Sequence, residues 1–273
     1  MKNKIPAGFT VLKKGKLTFL SCTHMSKTPG FIQVFTTRLG GVSKRPYDSL
    51  NIGAHTDDKK RDIQVNIKML EKALGIKYTG AARQVHGDGV VMIKKSDKLS
   101  MAKIKRMTNI EADGLITDVK GLAVGVRLAD CVGTVIMDPK TRTVASVHSG
   151  WRGIANLIPS KTVKLMVSEF KSKPADLIAA ISPAIGPCCY EVGEDIYNQL
   201  HKQAVFSNIF HRKNGLLFMN LWKAASNLLK AEGLKKKNIH ICSMCTVDYP
   251  GYFYSHRRDK GKTGRQMAVG VFK

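Results

Sequence analysis

The middle of the chain is crowded with short, nearly unbroken apolar runs: Gly114-Leu115-Ile116, Leu122 to Val126, Val132 to Met137, Val144 to Val147 and Leu177 to Ile181. Each is too short for a helix, and none alternates apolar with polar as a strand with one wet face does. Runs of this kind fit strands buried on both faces. Helical stripes lie on either side of them. Ile63, Ile67, Leu70 and Leu74 follow Asp62; Val163, Met166, Val167 and Phe170 follow Ser160; and Leu221, Ala225, Leu228 and Leu229 follow Asn220. All recur at helical spacing and read as core faces. Phe31 to Thr37 reads as a further strand, ending at the turn Arg38-Leu39-Gly40-Gly41. The class expected is therefore α/β with α+β character: a single domain over residues 1–273, with a central mixed sheet covered by helices and residues 1–30 as an N-terminal extension packed on it. Lys94 to Met107, basic and without a period, reads as an exposed insertion.

A chain of 273 residues that is 43% hydrophobic buries roughly 70–75% of its unfolded surface, which excludes wholesale disorder. Its formal charge is nonetheless +25. Residues 1–91 carry 16 basic and 6 acidic side chains, residues 92–182 carry 15 and 8, and residues 183–273 carry 14 and 6, so the three thirds net +10, +7 and +8. A nucleic-acid-binding arm concentrates its charge; here it is spread along the whole chain, with Lys235-Lys236-Lys237 as the longest run. No apolar stretch is long enough to cross a membrane, and Met1 to Lys16 lacks the apolar segment of a signal peptide, so a cytoplasmic protein is expected.

Familiar nucleotide signatures are missing. There is no G-x-G-x-x-G, and Gly261-Lys262-Thr263 lacks the leading glycine of a P-loop, since His256 stands there. Pro187-Cys188-Cys189 has the wrong spacing for a zinc deaminase. What remains are polar residues beside turns at the ends of apolar runs: His86 in Gln84-Val85-His86-Gly87, Cys131 in Ala129-Asp130-Cys131, and His148 in His148-Ser149-Gly150-Trp151-Arg152-Gly153. A β-hairpin turning after Asp138-Pro139 brings Cys131 and His148 to the same end of a sheet. Two imidazoles and a thiol suit an open three-ligand zinc site or, equally, a cysteine nucleophile activated by His148. Cys242-Ser243-Met244-Cys245 and Cys188-Cys189 have no partner motif and read as packing. Arg38, Arg257, Arg258 and Arg265 are better anion candidates than the lysines because a guanidinium offers bidentate recognition. Gly40-Gly41 beside Arg38 offers free amides to a phosphate or sugar.

Taken in order, Thr37-Arg38-Leu39-Gly40-Gly41-Val42-Ser43, Ser49-Leu50-Asn51-Ile52-Gly53, Gln84-Val85-His86-Gly87, Ala112-Asp113-Gly114, Ala129-Asp130-Cys131, the His148 to Gly153 block, Pro183 to Glu191 and Ser255-His256-Arg257-Arg258-Asp259 resemble the laccase-domain family, also called the YfiH or polyphenol oxidase family. The resemblance runs from about Phe31 to the C-terminus. It implies a zinc site of His86, Cys131 and His148, which would also be the catalytic residues. It further implies phosphorolysis of adenosine, inosine and S-methyl-5'-thioadenosine, with adenosine deamination as a side activity. Arg38, Asn51, Arg257 and Arg258 are the expected substrate-binding residues, Arg38 foremost. Leu128, Ser149 and His256 depart from the family's usual threonine, alanine and tyrosine, and none is a proposed ligand.

Three other readings compete. The family's older assignment, copper-dependent phenol oxidation, sits poorly with eight histidines that form no H-x-H pair. A metal-independent Cys131/His148 hydrolase is a second. A nucleic-acid-binding protein is the non-enzymatic third, but no recognisable reading motif is present, and Tyr252-Phe253-Tyr254, the only aromatic cluster, belongs to a block of the family the chain resembles. The partners expected are purine nucleosides and phosphate, with no membrane, for a monomer or homodimer.

Overall fold

The computed structural model describes residues 5–76, 78–97, 100–107 and 110–273. In chain order the strands and helices are β1 (Phe9–Lys14), β2 (Leu17–Cys22), β3 (Phe31–Thr36), α1 (Lys60–Leu74), β4 (Tyr78–Gly80), β5 (Val90–Ile93), α2 (Met101–Met107), β6 (Gly114–Thr117), β7 (Leu122–Leu128), β8 (Val132–Asp138) and β9 (Thr143–Ser149). They continue as α3 (Trp151–Ala155), α4 (Ile158–Phe170), β10 (Ile178–Ile181), α5 (Glu194–Leu200), β11 (Phe210–Lys213), β12 (Leu216–Met219), α6 (Leu221–Ala231), β13 (Ile239–Ile241) and β14 (Gln266–Phe272). Every run predicted as a strand forms one, within a few residues of the expected bounds.

The α/β class and the mixed sheet hold, but the strands divide between two sheets where one was expected. The first has the order β1-β2-β3-β14-β7-β4 and the second β13-β10-β8-β9-β6-β5, with β11 and β12 as a separate ribbon. Both are mixed: β4 runs parallel to β7, β5 to β6 and β13 to β10, and the other pairings are antiparallel. The segment before residue 31 supplies β1 and β2, which extend the first sheet from β3.

The two sheets stack face to face, β7 and β14 over β8 and β9. Val124, Val126, Leu128 and Ala268 of the first sheet and Leu115, Val135, Met137 and Val144 of the second fill the space between them. Alternate residues of the same strands point outward. Met267, Val269 and Val271 meet Leu70 and Leu74 of α1, whereas Val132, Ile136, Ala145 and Val147 meet Val163 and Met166 of α4 and Leu228 and Leu229 of α6. The result is four layers, and it explains the unbroken apolar runs: a strand with apolar neighbours on both faces cannot alternate. Each buried Val, Leu, Ile or Met among them contributes roughly 1.5–3 kcal/mol by leaving water.

Two glycines set how closely the sheets approach. A Cβ on Gly133 would lie 2.7 Å from Leu128 Cδ1 and 2.9 Å from Ala268 Cβ, and one on Gly270 would lie 2.6 Å from Val144 Cγ2.

The helices follow their stripes with one exception: Val167 is 37% exposed, although Val163, Met166 and Phe170 of the same α4 stripe are buried. Asn220 caps α6 by accepting the Lys223 amide. The described residues of 94–107 whose burial is known are mostly exposed, as expected of an insertion; Leu99 lies outside the described residues, as does Lys98. Among the described residues no helix is long and apolar enough to cross a membrane.

Candidate active site

β8 and β9 pair antiparallel with Gly133 opposite His148, which puts Cys131, immediately before β8, beside the end of β9. The hairpin expected from the spacing of the two residues forms, and Asp138 holds its turn by accepting the amides of Lys140 and Thr141. The loop after β4 brings in His86, at φ +60, in the left-handed region that a non-glycine residue enters only when its surroundings enforce it. The donor atoms of His86, Cys131 and His148 all lie within 4.8 Å of one another.

Asp113, fully buried just before β6, does the enforcing. Its carboxylate accepts the amides of Val85 (3.1 Å), His86 (3.1 Å) and Gly87 (2.8 Å), which fixes the His86 loop. The same carboxylate lies 2.7 Å from His148 Nδ1. That bond orients the His148 ring and commits Nδ1, leaving Nε2 as the nitrogen for a ligand, the carboxylate–histidine arrangement that supports metal sites. Asp130, at φ +89, holds the other side: its carboxylate accepts the Thr246 hydroxyl (2.5 Å) and the Arg257 amide (2.7 Å). Gly150 lets the chain pass close to the thiol, since a Cβ there would sit 3.0 Å from Cys131 Sγ, a tight contact.

The electrostatics follow from this packing. Burial opposes ionisation of the Cys131 thiol, yet the facing imidazoles, His148 above all, pull its pKa down to about 6. Burial likewise opposes a charged His148, and the Cys131 thiolate with the Asp113 carboxylate overrides it, raising the ring to about 9. Burial also opposes the Asp113 charge, but its bond to His148 keeps that carboxyl below the usual range.

The three donors lie on the wall of a cavity of about 370 Å³ that is also lined by Gly53 to Thr56, Gln84, Arg127, Ala129, Asp130, Ile185, Tyr190, His256, Arg257 and Arg265. That is a fair size for a small-molecule site. Two nitrogens and one sulfur converging beside an open space match the catalytic, three-ligand form of a zinc site. On this donor chemistry, and on the Asp113 bond that orients His148, the residues fit the metal.

The expected substrate-binding residues fare unequally. Arg257 lines the cavity, with Nη2 donating to Glu191 O at 3.1 Å and its guanidinium 5.5 Å from the Tyr190 ring centroid. Arg38 is not brought there. Its Nε donates to Asp48 O, Nη1 to Pro250 O and Nη2 to Asp48 Oδ1, and it stacks on Tyr254 at 4.8 Å, so each of its three nitrogens is engaged by the fold. Nor are the neighbouring amides free, because Gly40 and Gly41 both donate to Ser49 Oγ. Arg258 is similarly occupied by Asp259, Thr246 O and Phe253 O. Asn51 acts from behind the wall, its Oδ1 accepting the amides of Gly53 and Arg265 and its Nδ2 donating to Thr56 and Asp58.

Several residues escaped the sequence reading. Arg127 carried a signal, a charge inside the apolar strand β7: its Nε and Nη1 donate to Ile52 O and Ala82 O, and burial draws its pKa downward. Asp113 and Asp130 stood in quoted motifs without a role. His55, Tyr190 and His256 had no local signal beyond their neighbours.

Comparison with known proteins identifies the family and the fold. Residues 32–273 match the family described as multi-copper polyphenol oxidoreductase laccase. The chain is similar to the purine nucleoside phosphorylase YlmD of Geobacillus stearothermophilus, 33% identical over 244 residues that cover 88% of this chain and 89% of that protein. It is also similar to a purine nucleoside phosphorylase of Deinococcus radiodurans, 33% identical over 237 residues covering 86% of this chain and 87% of the other. Among solved structures, the hypothetical protein YfiH of Bacillus licheniformis superposes with a TM-score of 0.88 at 31% identity, covering 98% of this chain and all of that one.

Proposed function

Because the chain belongs to the multi-copper polyphenol oxidoreductase laccase family, we propose, on the relatives' names and its own cavity, that it is a zinc-dependent purine nucleoside phosphorylase. Its substrates are adenosine, inosine and S-methyl-5'-thioadenosine, which it splits with phosphate into free base and the corresponding pentose 1-phosphate. The observation that carries this reading is one cavity holding both a His86/Cys131/His148 donor set and three arginines, Arg127, Arg257 and Arg265.

Phosphorolysis breaks the bond between C1' and the purine nitrogen while a phosphate oxygen bonds to C1', through a transition state with positive charge on the sugar. Arg257 and Arg265, on the cavity wall, hold and orient the phosphate by charge-assisted hydrogen bonds. This role passes to them from Arg38. Arg127 adds a third cation, anchored through two backbone carbonyls so that it need not reorganise when the anion arrives. Tyr190, held under Arg257, offers its ring as a face for the purine or ribose. Asn51 keeps the Gly53–Thr56 loop and Arg265 in register from behind.

His86, Cys131 and His148 would hold the zinc, which supplies Lewis acidity and lowers the pKa of water, the chemistry that adenosine deamination as a side activity requires. Asp113 keeps His148 Nδ1 committed and so aims Nε2 at that position. On this reading the protein works in the cytoplasm, where thiols such as that of Cys131 stay reduced.

The test is incubation of purified protein with adenosine and phosphate, followed by chromatography. Adenine with ribose 1-phosphate, and inosine as a minor product, is the expected result; neither product with zinc-loaded protein overturns the reading. Phenol oxidation that scales with protein after copper traces are removed would favour the family's older assignment instead.

A further inference from the structure

A second group of potential metal ligands lies outside the cavity. The ligand atoms of Cys188, Cys189, Cys245 and Asp248 all fall within 4.8 Å of one another. Packing, expected from the sequence for these cysteines, describes Cys242, which is fully buried, but not Cys188, which is exposed. Cys188 Sγ donates to Asp248 Oδ2 at 3.2 Å and Cys189 Sγ to Asp248 Oδ1 at 3.4 Å, so two thiols share one carboxylate. From the other side the Gly186 amide donates to Cys245 Sγ at 3.3 Å. Gly186 leaves room for the group: a Cβ there would stand 3.1 Å from Cys188 Sγ and 3.2 Å from Cys245 Cβ. The backbone holds the two contributing segments together, with Ala184 bridged to Cys245 in parallel pairing and the Thr246 amide donating to Ala184 O.

We propose that Cys188, Cys189, Cys245 and Asp248 form a second metal site, a closed tetrahedral one that binds a single zinc ion. Tetrahedral zinc–sulfur bonds of about 2.3 Å require sulfurs about 3.8 Å apart, so donors already within 4.8 Å need only a small contraction. The carboxylate argues for zinc over copper(I), which prefers an all-sulfur set. As the ion enters, the three thiols lose their protons to solvent and their sulfurs bond to the metal, with no change of oxidation state.

This site differs from the first in having four protein donors and no open position, the structural rather than the catalytic form. Its place gives it a task. The loop between its cysteine segments and the cavity carries Ile185 and Tyr190, both of which line the cavity, and Glu191, whose carbonyl accepts from Arg257. Bound zinc would staple the Tyr190 loop to the Cys245–Asp248 segment.

The test counts metal rather than turnover. The full chain with Cys131→Ala, which disables the first site, is stripped with a chelator under reducing conditions and titrated with cobalt(II) alone. One equivalent is expected, with an intense thiolate-to-cobalt charge-transfer band and the visible absorption of tetrahedral cobalt. Adding Cys188→Ser should weaken this binding by more than the about 10–100-fold typical of losing an outer-shell partner. Since Cys188 is exposed, that variant is expected to fold. In the otherwise wild-type chain, Cys188→Ser should lower the zinc content from two equivalents to one. No cobalt uptake by the Cys131→Ala chain, uptake unchanged by Cys188→Ser, or a Cys188–Cys189 disulfide that persists under reducing conditions overturns the proposal.

Discussion

The cavity wall and the belt of loops behind it are built from the same residue types but differ in where their donors end. In the belt, Arg38 and Arg258 each spend at least three guanidinium contacts on backbone carbonyls and a neighbouring carboxylate. On the wall, Arg257 has one side-chain hydrogen bond among the described residues, and Arg265 gives Nη1 alone, to Thr263 O and Gly264 O. The lesson is that an arginine's role follows from its unspent donors. A guanidinium whose three nitrogens all donate to protein acceptors ties loops together; one with uncommitted nitrogens beside a cavity is left for an anion.

That contrast can be broken by substitution. Arg257→Ala should have the largest effect, lowering kcat/KM for phosphorolysis by about 10²–10³-fold. Its melting temperature should move by no more than a few degrees, because only one protein acceptor is lost; saturation kinetics in phosphate beside a thermal melt read both. Arg38→Ala should do the reverse, costing about 2–3 kcal/mol of stability through the orphaned carbonyls and the lost Tyr254 stack. That is a fall of roughly 5–10 °C in Tm, with kcat/KM for the remaining folded protein nearly unchanged. If Arg38→Ala abolished phosphate saturation without lowering Tm, the division between wall and belt would fail.

Asp113→Asn probes a belt residue whose effect is felt at the wall. Zinc affinity should fall by about 10–100-fold, measured by competition with a chromophoric chelator, because His148 loses its charged orienting partner. The smallest effect concerns Asp259. Burial opposes its charge, but bonds from Arg258 and Thr263 hold its pKa below the usual carboxylate range. A carboxyl with a lower pKa folded than unfolded adds stability above the unfolded value of about 4 and loses it as pH falls through the folded value. The Tm gap between wild type and Asp259→Asn should therefore be present at pH 7, corresponding to less than about 1 kcal/mol, and close in acid. A gap that widens on acidification would reverse the sign.

Much of this was legible in the chain. The runs at Val132 to Met137 and Val144 to Val147 announced buried strands, and their 17-residue offset between Cys131 and His148 announced the hairpin that joins two of the three donors. Periodicity is local, so strands and helix faces can be read from neighbours a few residues apart. The division into two sheets could not be read that way: β14 inserts between β3 and β7, pairing residues near the C-terminus with residues near 33 and 126. Val167 was misassigned for a related reason, since a stripe does not say how wide a face its partner covers.

What the sequence by itself determined is which elements form and which side chains are able to bind a metal or an anion, because secondary structure and side-chain chemistry are local properties. Only the tertiary structure decided which of those side chains are free to act. Arg38 is held away from the cavity wall partly by the carbonyl of Pro250, 212 positions away. Asp113 becomes a support for His148 through a bond across 35 positions. Cys188, Cys189 and Cys245 become a cluster only when their two segments pair. Hydrogen-bonding capacity is written in the residue, whereas its saturation depends on acceptors that folding alone brings near.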